Sequence, residues 1–181
     1  IIFPIVFVLG LTNSGINAEL VNAGKGPTQI MNLQMYRYAV LGGGGNTLGL
    51  VLLMCFSRVK HLKSIGRLSV VPGICGINEP VIFGTPIVLN PILIIPFIVV
   101  PMVCATIAWI FTSLNFVDKV VMTAPWTLPG PVGAYLATGG DWRAAVLNIF
   151  LIALSVILYY PFFKIYDKNL LKEEQGELTE E

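Results

Sequence analysis

Leu68–Val117 reads LSVVPGICGINEPVIFGTPIVLNPILIIPFIVVPMVCATIAWIFTSLNFV. These fifty residues carry a single charge, Glu79, and prolines at 72, 80, 86, 91, 96 and 101. A stretch this apolar suits a bilayer, whose hydrocarbon core takes about 20 helical residues to cross. One straight helix does not suit it, because each interior proline removes a backbone bond and clashes with the preceding turn. Both constraints are met by a broken or re-entrant element over 70–86, followed by a spanning helix over 87–114. Non-helical backbone at membrane depth is tolerated only where protein buries it or a wet cavity receives it.

Upstream, Ala39–Ser57 is uncharged and long enough to span. Its Gly42–Gly45 run and Gly49 would weaken a soluble helix. In a membrane, small residues let a neighbouring helix approach, and Gly45 and Gly49 have GxxxG spacing. RVKHLKSIGR, residues 58–67, reads as a compact basic loop. IIFPIVFVLG at 1–10 has no basic leading region, so it reads as the end of a truncated hydrophobic helix and not as a signal peptide. The more polar residues 11–38 read as a loop or interfacial segment. Downstream, 115–140 reads as a second hairpin or an interfacial loop. Residues 141–163 form the last span, with aromatics near both ends, and 164–181 a solvated, frayed charged tail. The expected fold is all-α, a polytopic membrane protein with transmembrane helices and re-entrant hairpins. The membrane part covers 1–166 and the charged tail 167–181.

Composition points the same way. The 181 residues are 55% hydrophobic and 12% charged, with mean hydropathy +0.80. Soluble domains carry about 25% charged residues. So few charges cannot coat a soluble globule, and the hydrophobicity excludes a disordered chain. A net charge of +1 gives no footprint for nucleic acid. Cys55, Cys75 and Cys104 form no CxxC pair, so neither a disulfide framework nor a zinc site is expected. No HExxH, complete GxGxxG or Walker A motif is present, and no cofactor or metal is expected.

Lys and Arg number four in 58–67 and three in the tail, against two in 11–38 and two in 115–143. The positive-inside rule places loop 58–67 and the tail in the cytoplasm. Two crossings, 87–114 and 141–163, then separate them, so 70–86 must dip in and return to the same side.

Glu79 is the only carboxylate between Glu19 and Asp118. An ionisable residue inside a membrane segment is costly and is by default a candidate functional residue. Asn78 beside it offers amide donors and an acceptor, Gly73, Gly76 and Gly84 permit tight turns, and Pro80 restricts Glu79 to an extended conformation. A rigid polar tip of this kind suits a ligand rich in hydroxyls. The competing reading pairs Glu79 with Arg67 or sets it at the N-terminus of a half-helix. Trp126, in APWTLPGP, has an indole suited to stacking on a sugar ring or to anchoring at the membrane interface. Trp142 reads as an interfacial anchor and Trp109 as packing. His61, flanked by Lys60 and Lys63, reads as a solvated loop residue.

GINEPVIFGTPIVLNPILIIPF at 76–97 resembles enzyme IIC, the membrane subunit of the bacterial phosphotransferase system, in its lactose/cellobiose/diacetylchitobiose branch. APWTLPGPVGAYLATGGDWRAAVLN at 124–148 matches a second block typical of that branch, and the resemblance runs along essentially the whole chain. It implies a permease that carries a β-linked disaccharide across the bacterial cell membrane. A cytoplasmic partner, enzyme IIB, phosphorylates the sugar with a group relayed from phosphoenolpyruvate through enzyme I, HPr and enzyme IIA. The resemblance gives Glu79 hydrogen bonds to sugar hydroxyls, with Asn78 as neighbour, and Trp126 a stacking role. The phosphoryl donor is expected on IIB, with loop 58–67 as its docking surface or simply a solvated basic loop. Family members are longer, with N-terminal helices that form a homodimer contact and a His-Gly motif that His61 does not match. This chain therefore resembles the C-terminal part of a subunit. Two other classes remain: an ion-coupled secondary transporter in which Glu79 titrates, and an inactive fragment.

Overall fold

The computed structural model describes residues 2–32 and 35–176. Among the described residues every regular element is helical. In chain order these are α1 (Ile2–Asn22), α2 (Tyr36–Ala39), α3 (Leu48–Met54), α4 (Lys60–Ile74) and α5 (Glu79–Gly84). A 3-10 turn (Ile87–Leu89), α6 (Pro91–Ser113), α7 (Gly130–Ala137) and α8 (Trp142–Glu174) follow.

Helices α6 and α8 are long and apolar enough to cross a membrane. The start of α6 is written in Asn90-Pro91. The Asn90 side chain accepts hydrogen bonds from the Ile92 and Leu93 N–H groups, at 2.9 and 3.3 Å. Pro91 takes the first helical position, where an N–H would have no partner. One stripe of α6 is buried: Leu93, Pro96, Val100, Cys104, Ala108 and Thr112. The rest of its surface stays apolar and exposed, with Ile95, Ile98, Val99, Met102 and Trp109. In α8 the buried stripe runs from Ala144 through Leu151 and Ser155 to Tyr166, while Val146, Ile149, Phe150 and Ile157 face outward. A helix that buries one stripe and leaves apolar side chains outside is suited to lipid rather than to water. The all-α class with spanning helices holds.

Helix α8 packs against α3, α6 and α7. The contact with α3 is backbone-close, because a Cβ on Gly49 would lie 2.7 Å from the Ser155 carbonyl carbon. Thus Gly49 does serve helix approach. Its GxxxG partner does not: Gly45 lies in a loop, against the Phe97 ring.

The structure corrects four segment readings. Residues 11–22 belong to α1 rather than to a loop. Ala39–Ser57 is not one spanning helix, since after Ala39, which ends α2, only Leu48–Met54 is α-helical and the glycine run turns with positive φ at Gly42, Gly43 and Gly45. Residues 60–67 are the first half of helix α4, not a loop. The last span does not fray at 164 but continues to Glu174. At 1.5 Å per residue, its 33 residues reach about 50 Å, beyond a hydrocarbon core of about 30 Å. The extension is tied down: Tyr166 is buried and the Ser57 hydroxyl donates to Asp167. The 166/167 boundary therefore falls inside α8, and residues 177–181 lie outside the described residues.

Asn17 explains how a polar stretch stays helical. It is fully buried in α1 and every polar atom is used. Its Nδ2 donates to the carbonyls of Gln29 (2.7 Å) and Val120 (2.8 Å), and its Oδ1 accepts from the N–H groups of Thr28 and Gln29. One side chain thereby joins α1 to the loop after it and to the segment before α7.

Candidate functional site

The expected break after residue 70 is a helix–turn–helix hairpin. Helix α4 ends in a Schellman turn: the Ile77 N–H donates to the Pro72 carbonyl (2.9 Å) and the Gly76 N–H to Gly73 (3.0 Å). That turn requires a left-handed residue, and Gly76 supplies it at φ +83°. Two residues on, Asn78 caps the backbone of α5 with its carbonyl, which accepts from the Val81 and Ile82 N–H groups, both at 3.0 Å. Glu79 is not extended but is the first residue of α5, whose first turn takes Pro80 without needing its missing N–H, and it is exposed. Its carboxylate makes no hydrogen bond or ion pair among the described residues, so neither the pairing with Arg67 nor a cap is formed: Asn78 holds the cap position and Glu79 only lies in the first turn. A carboxylate is favoured there by the helix dipole.

Asn78 itself is buried and fixed by the glycine loop 42–45. Its Nδ2 donates to the Gly44 carbonyl at 2.7 Å. Gly43 lies directly against the Asn78 side chain, since a Cβ there would come within 2.6 Å of both Asn78 Cβ and Oδ1. The loop is closed on itself. The Leu41 N–H donates to Asn46 Oδ1 (2.7 Å) and the Thr47 hydroxyl to the Gly42 carbonyl (2.7 Å). Helix α8 holds it from outside through Tyr159, whose hydroxyl donates to the Gly45 carbonyl at 2.6 Å. The polar tip is thus mounted on a backing that is hydrogen-bonded to itself and to α8.

Beside the hairpin lies a cavity of about 590 Å³, within the size range of small-molecule sites. Ile74 and Gly76 from the α4 end, Tyr36, Arg37 and Gly42, and Trp126 with its neighbours Thr123–Pro125 line it. Trp126 is 71% exposed. Asn78 and Glu79 are not in the wall. Glu79 follows the wall residue Gly76 by three positions, which limits its Cα to about 11 Å from that of Gly76.

The segment bearing Trp126 is a strap hung from buried hooks. The Asp118 N–H donates to Asp141 Oδ2 (2.9 Å) and the Val120 carbonyl accepts from Asn17. The Val121 and Met122 N–H groups donate to the Ala137 carbonyl, at 3.0 and 3.2 Å. Arg37 Nη2 donates to the carbonyls of Ala124 (2.8 Å) and Pro125. Asp141 also caps α8 by accepting from the Arg143 N–H at 2.9 Å, and forms an ion pair with the Arg143 guanidinium at 3.1 Å. Burial pushes the Asp141 carboxyl upward, but the Asp118 and Arg143 donors outweigh it and hold the group below the usual carboxylate range.

Of the residues singled out in the sequence, Trp126 lies on the cavity and the Asn78–Glu79 tip lies next to it. Trp142 is exposed at the start of α8, as an interfacial anchor would be. His61 is exposed on α4, with Nε2 3.3 Å from the Gly84 carbonyl. Arg37 and the glycine loop were missed as parts of this region. The available signal for Arg37 was its position as the only cation between Lys25 and Arg58. Among the described residues, no group of three or more His, Cys, Asp or Glu side chains is placed to hold a metal ion.

Comparison with known proteins agrees with the helical frame. The model of the family described as "Phosphotransferase system, EIIC" matches residues 1–101. The lactose-specific EIICB component of Staphylococcus haemolyticus is 40% identical over 179 residues, covering 97% of this chain and 30% of that protein. That of Staphylococcus aureus strain N315 is 38% identical over 178 residues, covering 97% and 31%. The crystal structure of the transporter ChbC, the IIC component from the N,N'-diacetylchitobiose-specific phosphotransferase system, superposes with a TM-score of 0.87. The sequences are 39% identical, and the match covers 91% of this chain and 39% of that one. This chain spans about a third of the length of the curated relatives it matches. Its helical frame matches that of a IIC transporter, and it belongs to the EIIC family of the phosphotransferase system.

Proposed function

We propose that this chain is the sugar-binding part of a phosphotransferase-system permease subunit that takes a β-linked disaccharide of the lactose, cellobiose or diacetylchitobiose type. The observation that carries the reading is the rigid mounting of an unpaired carboxylate. Glu79 stands exposed on a hairpin whose neighbour Asn78 is clamped by the glycine loop, next to a cavity flanked by an exposed indole. A carboxylate accepts hydroxyl hydrogen bonds that are roughly twice as strong as neutral ones. An indole covers the apolar face of a sugar ring while its N–H still donates. The similarity to proteins named lactose-specific and diacetylchitobiose-specific supports the substrate class.

In this reading the subunit lies in the bacterial cell membrane as a multi-pass homodimer, with its C-terminal tail in the cytoplasm. The partner is enzyme IIB, which carries the phosphoryl donor and is charged through enzyme IIA, HPr and enzyme I. The basic face of α4, with Arg58, Lys60, Lys63 and Arg67 at or near it, is the docking surface proposed for that partner. Sugar binding by the purified full-length subunit tests the substrate class. Saturable binding of at least one of lactose, cellobiose and diacetylchitobiose is expected, with no competition by their α-linked counterparts. Equal binding of α- and β-linked sugars, or of neither, would overturn it.

A further inference from the structure

We infer that Arg37 is a positioning residue that sets Trp126 over the cavity. The inference rests on the proposed stacking role of Trp126. Arg37 is only 8% exposed, yet it sits in the wall of the cavity that Trp126 flanks. One of its nitrogens, Nη2, donates to two successive carbonyls, those of Ala124 and Pro125, the two residues immediately before Trp126. Successive carbonyls of an extended chain point in different directions. Drawing both onto one nitrogen fixes the peptide planes on either side of Pro125, whose own φ is already locked by its ring. The main chain entering Trp126 then has little freedom, and the placement of the indole follows from it.

The rest of the surroundings are shaped to hold the guanidinium. Gly133 on α7 lies flat against it: a Cβ there would overlap Nη1 and come within 2.5 Å of Cζ. No residue but glycine leaves that space. The Arg37 backbone is held in turn, its carbonyl accepting from Asn148 Nδ2 on α8 at 3.4 Å. The clamp is therefore built from three elements, α2, α7 and α8, and acts at one point of the strap. A lysine would not replace it, because a compact ammonium on a flexible stem lacks the planar fork that fits between α7 and the strap.

The test is a double-mutant cycle on disaccharide affinity in the full-length subunit. Trp126→Ala and Arg37→Lys are each expected to weaken binding about tenfold. The double variant is expected to bind no worse than Trp126→Ala alone, because both changes remove the same interaction. Gly133→Ala leaves Arg37 in place but displaces its guanidinium, and is expected to reproduce the Arg37→Lys loss. A monosaccharide that fills only the Glu79 end is expected to bind the wild type and all four variants alike. Losses that multiply in the double variant would overturn the inference, as would wild-type affinity in both Arg37→Lys and Gly133→Ala. If Trp126→Ala itself binds like wild type, the stacking reading falls, and the inference with it.

Discussion

Glu79→Gln in the full-length subunit is expected to lower disaccharide affinity about 100-fold, measured by titration calorimetry. Glutamine keeps the shape of glutamate and removes only the charge. Hydrogen bonds to charged groups contribute about 1.5–3 kcal/mol each, against about 1 for neutral ones. Two sugar hydroxyls donating to one carboxylate therefore lose about 1–4 kcal/mol, which is a factor of about 5–1000. The amide also turns one acceptor into a donor that faces a hydroxyl, which adds to the loss. Stability supplies the control. The Glu79 carboxylate is exposed and bonds to nothing among the described residues, so the variant is expected to melt with the wild type, within the about 0.5 kcal/mol typical of surface changes. Wild-type affinity in a well-folded Glu79→Gln protein would remove Glu79 from the site.

Gly43→Ala is expected to destabilise the protein and weaken sugar binding together. Two effects add at this position. Its φ of +97° is unfavourable for any L-residue, at about 1–2 kcal/mol. The new Cβ would also come within 2.6 Å of Asn78 Cβ and Oδ1, so either the loop or the Asn78 side chain must move. Overpacking of this kind costs about 1–3 kcal/mol. The sum, about 2–5 kcal/mol, is expected as a lowered melting temperature, together with a sugar affinity reduced about tenfold or more in whatever fraction folds. The neighbour provides a sharp comparison. A Cβ on Gly44 meets nothing within 4 Å, and its carbonyl, which holds Asn78, is unaffected by a side chain. Gly44→Ala is therefore expected to behave as wild type in both measurements. Equal effects at 43 and 44 would mean that the loop does not act by backing Asn78.

The parts of this fold that were legible in the sequence are those set by local chemistry. Asn90-Pro91 announces a helix start because an amide cap and a proline at the first position solve the same problem of unpaired N–H groups. Gly76 marks a helix end because only a left-handed residue closes a Schellman turn. The break before α6 and the isolation of Glu79 followed from counting prolines and charges. What misled was polarity taken as a sign of loop. Asn17 sits in a helix because partners 11, 12 and 103 residues away satisfy it, and no local pattern reports them. Lys60–Arg67 is helical for a related reason: Leu62 and Gly66 are buried on its inner side, and Gly66 abuts Met54 and Cys55 of the preceding helix end. The glycine run erred in the opposite direction. GxxxG spacing describes helices that touch, whereas Gly42–Gly45 is needed where a loop passes against Leu48, Asn78 and Phe97.

The candidate site divides along the same line. Asn78, Glu79 and Trp126 were visible because each is chemically out of place in its surroundings. Arg37 was not, because its role depends on carbonyls 87 and 88 positions away. The cavity wall is likewise assembled from α2, the glycine loop, the end of α4 and the strap, which no single stretch of sequence contains.

The most direct test of the whole account is uptake of a labelled β-linked disaccharide by inverted-free, right-side-out membrane vesicles containing the full-length subunit. The account predicts that label accumulates inside as a sugar phosphate only when phosphoenolpyruvate and the cytoplasmic phosphotransferase proteins are enclosed, and that collapsing the proton gradient leaves it unchanged. Accumulation of unmodified sugar that needs no phosphoenolpyruvate and stops with the proton gradient would contradict it, and would make Glu79 the titrating group of an ion-coupled transporter.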